Sequence, residues 1–179
     1  MGKTYTLKVA GLTRELAICP VNDKLDIAAF VMFSDVELTI ACATALLKKA
    51  PDCDVIITAE SKGIPLAYEM ARQSGKQYLL ARKSKKLYMK KAVAVDVKSI
   101  TTANLQKLYL DIDDMEYLKD KRVLIVDDVI STGGSLAALE HLVEQAGGHI
   151  AGKATVLAEG DAAKREDILY LAPLPLFFK

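Results

Sequence analysis

The sequence predicts an α/β fold in which a mostly parallel sheet is flanked by helices. Two parts of the chain repeat one pattern: an apolar, largely β-branched run, a short polar loop, and a helix-like stretch. The first part combines residues 54–58 with residues 64–73, and the second combines residues 123–126 with residues 136–145. Strands that are apolar on both faces and alternate with helices are typical of parallel sheets buried between helical layers.

Further core elements follow from the same reasoning. Residues 77–81 and 149–157 have the composition of additional strands. Residues 35–49 have the periodicity of a helix whose N-cap is Ser34 or Asp35.

Both ends of the chain have strand character. Residues 4–10 and 14–19 predict a hairpin that turns at a glycine and ends at Pro20. Residues 168–178 are apolar and contain two prolines, which exclude a helix past Leu171. An edge strand, or a wall beside a flat apolar ligand, fits this last segment.

Composition narrows the class of protein. A length of 179 residues suits one domain, and a hydrophobic fraction of 51% is enough for a substantial core. The formal net charge of +1 gives no electrostatic reason to expect nucleic acid or an anionic membrane as the main partner. Three cysteines without metal-ligand spacing predict reduced thiols and therefore a cytoplasmic protein. The sequence has neither an apolar run of membrane-spanning length nor a signal-peptide core at residues 1–4.

Residues 123–135 carry the clearest chemical signal. Two adjacent carboxylates, Asp127 and Asp128, follow the apolar run, and a loop rich in glycine and hydroxyl groups leads into a helix. Backbone N–H groups and the helix dipole make such a loop a phosphate site, whereas paired carboxylates suit hydroxyl groups or a hydrated Mg²⁺. A ribose 5-phosphate satisfies both halves. The loop residues predicted to hold the phosphate are Ser131, Thr132, Gly133, Gly134 and Ser135.

A second loop has the character of a pyrophosphate site. Ser61, Lys62 and Gly63 stand between a predicted strand and the next helix, where backbone N–H groups and one cation favour an anion. Arg82 and Lys83 begin a basic run at the end of another predicted strand, at the edge where open α/β sheets bind ligands. A solvated loop lysine and a solvated basic face are the alternatives.

At every position, residues 123–135 resemble the motif with which type I phosphoribosyltransferases bind 5-phosphoribosyl 1-pyrophosphate (PRPP). The resemblance implies a single domain with a core at about residues 34–165 and a small hood formed by about residues 1–33 and 166–179. It also implies that a base nitrogen attacks C1 of PRPP with loss of pyrophosphate, with Mg²⁺ as cofactor, in a homodimer.

The resemblance assigns roles to individual residues. Asp127 and Asp128 would hold the ribose hydroxyls, favour positive charge on the ring and bind Mg²⁺ through water. Lys83 would act as a catalytic cation, and the 5-phosphate would lie in the glycine-rich loop. Pyrophosphate is assigned to Ser61, Lys62, Gly63, Arg82 and Lys83, and the base to Val129, Ile130 and Glu159.

The glycine-rich loop also bears on the identity of the base. Hypoxanthine-guanine enzymes of the family place an aspartate where this chain has Ser131, whereas adenine enzymes have a small residue there, followed by Thr-Gly-Gly and then Ser or Thr. The resemblance therefore implies phosphoribosyl transfer to adenine in purine salvage. Glu159 matches an acid of the adenine branch, and Lys164 and Arg165 stand near its basic position without the accompanying glycine. Residues 60–67 resemble xanthine enzymes and purine-responsive repressors, so another base or a non-catalytic PRPP-binding regulator stays open.

Residues 84–104 predict a long polar connection. In the family, the matching region is a loop that closes over the reaction centre and excludes water. The alternative is a plain hairpin in which residues 105–112 form a strand. Residues 113–121 are interpreted as a charged connection.

Overall fold

The computed structural model describes residues 2–97 and 106–179. Within these residues, no helix has the length and apolar character needed to cross a membrane. The helices are α1 (Val36–Leu47), α2 (Ile64–Ser74), α3 (Ile112–Leu118) and α4 (Gly134–Gln145), and a 3-10 helix spans Gly160–Lys164. The strands are β1 (Thr4–Val9), β2 (Leu12–Asn22), β3 (Leu25–Ala28), β4 (Val55–Ala59), β5 (Gln77–Ala81), β6 (Ala92–Val97), β7 (Gln106–Asp111), β8 (Arg122–Ile130), β9 (His149–Glu159), β10 (Leu169–Leu174) and β11 (Leu176–Phe178).

The centre of the molecule is a five-stranded sheet in the order β10-β9-β8-β4-β5, and each pair of neighbours is parallel. This sheet confirms the predicted α/β fold. β8 lies in the middle, and its residues Val123, Leu124, Ile125 and Val126 are buried because helices cover both faces. Alternation along the strand sends Leu124 and Val126 to one apolar cluster, and Val123 and Ile125 to the other.

The helices supply the outer layers. α1 and α2 contribute Leu38 and Met70 to the first cluster, and α3 and α4 contribute Leu118 and Leu142 to the second. α1 begins as predicted, because the carboxylate of Asp35 caps it by accepting the backbone N–H of Leu38 at 3.0 Å.

A second, antiparallel sheet in the order β1-β2-β3-β11 joins the two ends of the described chain. β1 and β2 confirm the predicted hairpin. The prediction that Pro20 ends the second strand is wrong, because β2 continues to Asn22 with a register shift against β3 between these residues. A bulge tolerates proline since the ladder hydrogen bond is already interrupted there. Only Pro175 separates β10 from β11, so residues 168–178 supply both an edge strand of the central sheet and a strand of this small sheet.

β6 and β7 form a hairpin beside the end of β5. There Arg82 and Tyr109 exchange two backbone hydrogen bonds of 2.9 and 2.8 Å. This agrees with the hairpin alternative for the polar connection. The lid that the family resemblance implies includes residues 98–104, which lie outside the described residues.

The interpretation of residues 113–121 as a plain connection is wrong, because α3 occupies most of them. Asp111 caps this helix by accepting the backbone N–H of Ile112 at 2.8 Å. Only Met115 and Leu118 are buried, so the short helix is too acidic and too brief to show a clear apolar period.

Candidate active site

The predicted chemistry gathers at the carboxyl ends of β4 and β8, two neighbouring strands of the central sheet. The two strands are parallel and Ile57 pairs with Ile125, so both strands end at the same edge of the sheet. β8 continues through Asp127 and Asp128 to Ile130, and the carboxylates therefore belong to the strand rather than following it. The loop after β4 lies directly beside them.

Ser61 links this loop to Asp127. Its hydroxyl donates a hydrogen bond of 3.0 Å to Oδ1 of Asp127 and accepts one of 3.1 Å from the backbone N–H of Gly63. The same Oδ1 accepts the backbone N–H of Asp128 at 2.9 Å. The protein itself thus sets the orientation of the Asp127 carboxylate.

Asp127 and Asp128 are both buried, with relative exposures of 9% and 4%. Burial, and then the neighbouring charge of Asp128, raise the pKa of Asp127 from 3.8 to about 7. Among the described residues, Oδ2 of Asp128 has no hydrogen-bond partner although it is buried. An unsatisfied buried acceptor is costly, and a ligand hydroxyl or a hydrated cation would satisfy it.

Lys62 lies between the carboxylates and the segment that follows β3. Its Nζ donates a 2.8 Å hydrogen bond to the backbone oxygen of Phe30 and stands 3.9 Å from Oδ2 of Asp128. The structure therefore brings a residue predicted for pyrophosphate next to a residue predicted for ribose. Lys62 and Phe30 are 32 positions apart, so no local pattern in the sequence indicates this contact.

Glu60 holds the predicted basic residues beside the same loop. Its carboxylate accepts the backbone N–H of Lys83 at 2.8 Å and lies 3.1 Å from Nη2 of Arg82 and 3.5 Å from Nζ of Lys86. The Lys83 hydrogen bond, followed by the charges of Arg82 and Lys86, lowers the pKa of Glu60. The Lys83 side chain is exposed. Glu60, whose role no local pattern in the sequence indicates, thus anchors the basic segment.

The glycine-rich loop leads into α4. Gly133 has a φ of +81°, a left-handed conformation that favours glycine, and α4 begins at the next residue. Gly133 is the N-cap residue of α4, and a helix N-terminus is a favourable place for an anion because of its backbone N–H groups and the helix dipole. Ser131 and Thr132 are exposed, whereas Gly133, Gly134 and Ser135 are half-buried.

Arg165, which stands near the basic position of the adenine branch, lies against this loop. A Cβ built on Gly133 would be 3.0 Å from Nη1 of Arg165. The guanidinium is half-buried and pairs through Nε and Nη2 with Asp167, at 2.8 and 2.7 Å. A cation thus stands next to a loop whose own residues carry no charge.

The residues predicted to contact the base lie near the ends of β8 and β9. Ile130 is 3% exposed and packs in the same apolar cluster as the buried face of α4. Val129 is half-buried on the other face, and Glu159 is half-buried at the end of β9, in register with Leu174 of β10. Val129 and Glu159 keep accessible surface at this edge, whereas Ile130 belongs to the core.

Comparison with known proteins connects these features to a family. The phosphoribosyl transferase domain family matches residues 37–172. An adenine phosphoribosyltransferase of Mycobacterium tuberculosis (strain H37Rv) is 30% identical over 168 residues, which cover 94% of this chain and 76% of the relative. A hypoxanthine/guanine phosphoribosyltransferase of Methanothermococcus okinawensis is 37% identical over 120 residues, which cover 66% of this chain and 62% of the relative. The crystal structure of adenine phosphoribosyltransferase from Thermoanaerobacter pseudethanolicus has a TM-score of 0.74 at 20% identity, and the match covers 88% of this chain and 95% of that one.

Proposed function

The chain belongs to the type I phosphoribosyltransferase family, and we propose that this enzyme transfers the 5-phosphoribosyl group of PRPP to a purine base, with adenine as the acceptor. The loop from Ser131 to Ser135, which resembles that of adenine enzymes, favours adenine. The second candidate acceptor is hypoxanthine or guanine, because the relative from Methanothermococcus okinawensis bears that name.

The observation that carries the proposal is the buried carboxylate pair between the two loops. Oδ2 of Asp128 is a buried acceptor that has no hydrogen-bond partner among the described residues and suits a ribose hydroxyl, and Asp127 is held in place by Ser61. A transition state with positive charge on the ribose ring would be stabilised by negative groups fixed beside it.

The two anionic ends of PRPP are assigned to the two loops. The 5-phosphate would bind residues 131–135, where it supplies binding energy remote from the reacting carbon and orients the ribose. The pyrophosphate would bind Ser61, Lys62 and Gly63, together with Arg82 and Lys83. These cations would compensate the negative charge that develops on the leaving group.

The carboxylate pair also fits a hydrated Mg²⁺. Mg²⁺ prefers oxygen ligands and commonly binds through one or two carboxylates plus substrate phosphates. Asp127 and Asp128 would hold it through water, with the unsatisfied Oδ2 of Asp128 as one acceptor. When bound, the ion would neutralise charge on the pyrophosphate.

We extend the proposal to the organisation of the protein: a single domain with a core at about residues 34–165, a hood formed by about residues 1–33 and 166–179, and a cytoplasmic homodimer. The small antiparallel sheet that joins both ends supports the hood. Val36, Ile40 and Tyr68 on α1 and α2 are 68%, 42% and 55% exposed, and these apolar side chains support burial against a second copy. Sedimentation equilibrium that shows only monomer would contradict the dimer.

The test is chromatography of the products that the purified protein forms from PRPP, Mg²⁺ and one base at a time: adenine, hypoxanthine, guanine or xanthine. We expect adenosine monophosphate from adenine. Asp128→Asn should lose at least roughly a hundredfold in kcat/KM while staying folded, since it removes fixed charge at the ribose. Asp161→Asn is the matched control, because that carboxylate is 93% exposed. If no base yields a mononucleotide, the proposed transferase activity is wrong. If guanine yields a product and adenine does not, the proposed choice of base is wrong.

A further inference from the structure

Arg165 is held by its neighbours in one orientation. It follows the 3-10 helix, and its Nε and Nη2 donate to the two carboxylate oxygens of Asp167. Asp167 also accepts from Nζ of Lys153 at 2.7 Å, and Lys153 in turn pairs with Glu140 on α4. The guanidinium is therefore tied to β9 and, through Lys153, to the helix that begins at the glycine-rich loop.

This pairing leaves one edge of the guanidinium for a ligand. The hydrogen bonds of Arg165 within the described residues use Nε and Nη2, and Nη1 lies on the side of Gly133. The guanidinium of arginine is planar and its N–H donors point in fixed directions. When Nε and Nη2 are held by one carboxylate, the direction of the Nη1 donors is therefore also set. Here that direction is the start of α4.

The placement of the charges agrees with an anion at this place. The network of Arg165, Lys153, Asp167 and Glu140 has two cations and two carboxylates, and Nη1 of Arg165 is the cationic group beside Gly133. Asp167 binds Nε and Nη2 of the guanidinium, and Glu140 on α4 pairs with Lys153. Nη1 instead lies beside a loop made only of Ser, Thr and Gly. A phosphate dianion bound by backbone N–H groups and hydroxyls alone would have no counter-charge in that loop.

We infer that Arg165 is a further binding residue of the proposed site and that its Nη1 donates to the phosphate monoester of the substrate at the glycine-rich loop, with Asp167 as its positioning residue. The inference rests on the proposed function, which assigns a 5-phosphate to this loop. It predicts that Arg165 contributes to the binding of the 5-phosphate and not to the binding of the pyrophosphate, because the pyrophosphate is assigned to the loop after β4.

Isothermal titration calorimetry with two small probes separates these ends. Ribose 5-phosphate carries only the phosphate monoester, and inorganic pyrophosphate with Mg²⁺ carries only the leaving group. We expect Arg165→Gln to weaken ribose 5-phosphate binding by roughly tenfold, because it removes one charge-assisted hydrogen bond, and to leave pyrophosphate binding unchanged. Lys164→Gln is the matched control, since it removes the same charge one residue earlier from a side chain that is 81% exposed.

The outcomes distinguish the inference from the function on which it rests. If the wild-type protein binds neither PRPP nor ribose 5-phosphate, the proposed function fails. If the wild-type protein binds both and Arg165→Gln binds ribose 5-phosphate as tightly as Lys164→Gln does, only the role of Arg165 is overturned. Equal weakening of both probes by Arg165→Gln would also overturn it, because a general disturbance of the fold is not selective.

A measurement on the wild-type protein covers the case in which Arg165→Gln does not fold. The side-chain Nε–H signal of Arg165, assigned by its loss in Arg165→Lys, should shift in ¹⁵N NMR spectra when ribose 5-phosphate is added and should stay in place when pyrophosphate is added. A signal that does not respond to ribose 5-phosphate would overturn the contact.

Discussion

Gly63 and Asp127 approach each other so closely that a Cβ built on Gly63 would lie 2.9 Å from Oδ1 of Asp127. That oxygen already accepts two hydrogen bonds, from the hydroxyl of Ser61 and the backbone N–H of Asp128. The φ of Gly63 is −74°, which any residue adopts. Glycine is therefore needed here for lack of space and not for its backbone freedom.

Gly63→Ala should displace the Asp127 carboxylate from its hydrogen bonds. We expect a loss of kcat/KM of roughly tenfold or more, because a small misplacement of a positioning group is expensive in catalysis. Overpacking should also lower the free energy of unfolding by about 1–3 kcal/mol. Kinetics and urea denaturation measure the two effects.

Gly75→Ala is the control for Gly63→Ala. Gly75 has a φ of +68°, and beyond its two chain neighbours no atom of the part of the chain that the structure describes lies within 4 Å of an added Cβ, so the substitution strains the backbone without touching a carboxylate. It should cost about 1–2 kcal/mol of stability and leave kcat/KM unchanged at 25 °C. Equal activity losses in the two variants would rule out the steric explanation.

The stability of the ligand-free protein should fall as the pH rises from about 4 to about 7. Asp127 has its pKa raised from 3.8 to about 7 by burial and by Asp128, so in this range the folded state binds more protons than the unfolded chain. The stabilisation is fully present below the unfolded pKa and is lost as the pH passes through the folded one. Carboxylates whose pKa is lowered, such as Asp54 and Asp167, act in the opposite direction, but only at more acidic pH.

Urea denaturation at a series of pH values between 4.5 and 8 checks this prediction. Asp127→Asn should remove most of the decline, because an amide does not titrate in this range. Parallel stability curves for the wild-type protein and Asp127→Asn would show that Asp127 titrates normally in the folded state.

Ser61→Ala should move the same transition to higher pH. The Ser61 hydroxyl donates to the Asp127 carboxylate, and this hydrogen bond lowers the pKa of Asp127 against the effect of burial. Its removal should also cost about 1 kcal/mol of stability. Ser74→Ala is the control, since that hydroxyl donates to the backbone oxygen of Met70, within α2. A midpoint that is the same in both variants would argue against the contact between Ser61 and Asp127.

Asp35→Ala should lower the free energy of unfolding by about 1–2 kcal/mol, because it removes the N-cap of α1. The same carboxylate pairs with Nε of Arg14 on β2 at 2.7 Å, and both side chains are half-buried. Glu37→Ala removes the other acidic partner of Arg14, which is 71% exposed, and should change stability by less than about 0.5 kcal/mol. Thermal denaturation compares the two, and an equal effect would mean that the cap contributes nothing specific.

The elements that were predictable from sequence are those whose pattern is local. The apolar run from Val123 to Val126 indicates a buried strand because every side chain must avoid water on both faces, and the structure buries all of them. Asp35 marks the start of α1 because a cap depends only on a residue three positions away. α3 was not predictable from sequence, because two buried residues in a helix of seven do not define a helical pattern of apolar residues.

The arrangement of the candidate site depends on contacts that local patterns do not encode. Ser61 and Asp127 are 66 positions apart, and only the parallel pairing of β4 with β8 brings them together. The hydrogen bond from Lys62 to Phe30 joins the segments that follow β4 and β3, two strands of different sheets. Arg165 stood in a run of charged residues, and nothing in that run indicated that its guanidinium lies against Gly133.

During synthesis, β1, β2 and β3 leave the ribosome long before their last partner has been made. β3 pairs with Leu176–Phe178, and Lys179 pairs with Asp26 at 2.8 Å, so nearly the whole central sheet is translated in between. Until then, the free edge of β3 exposes backbone groups to which strands of other chains can add. Pairing over so long a separation is also slow. Refolding from denaturant should therefore complete the central sheet first, and chaperones would have access to the open edge during that interval.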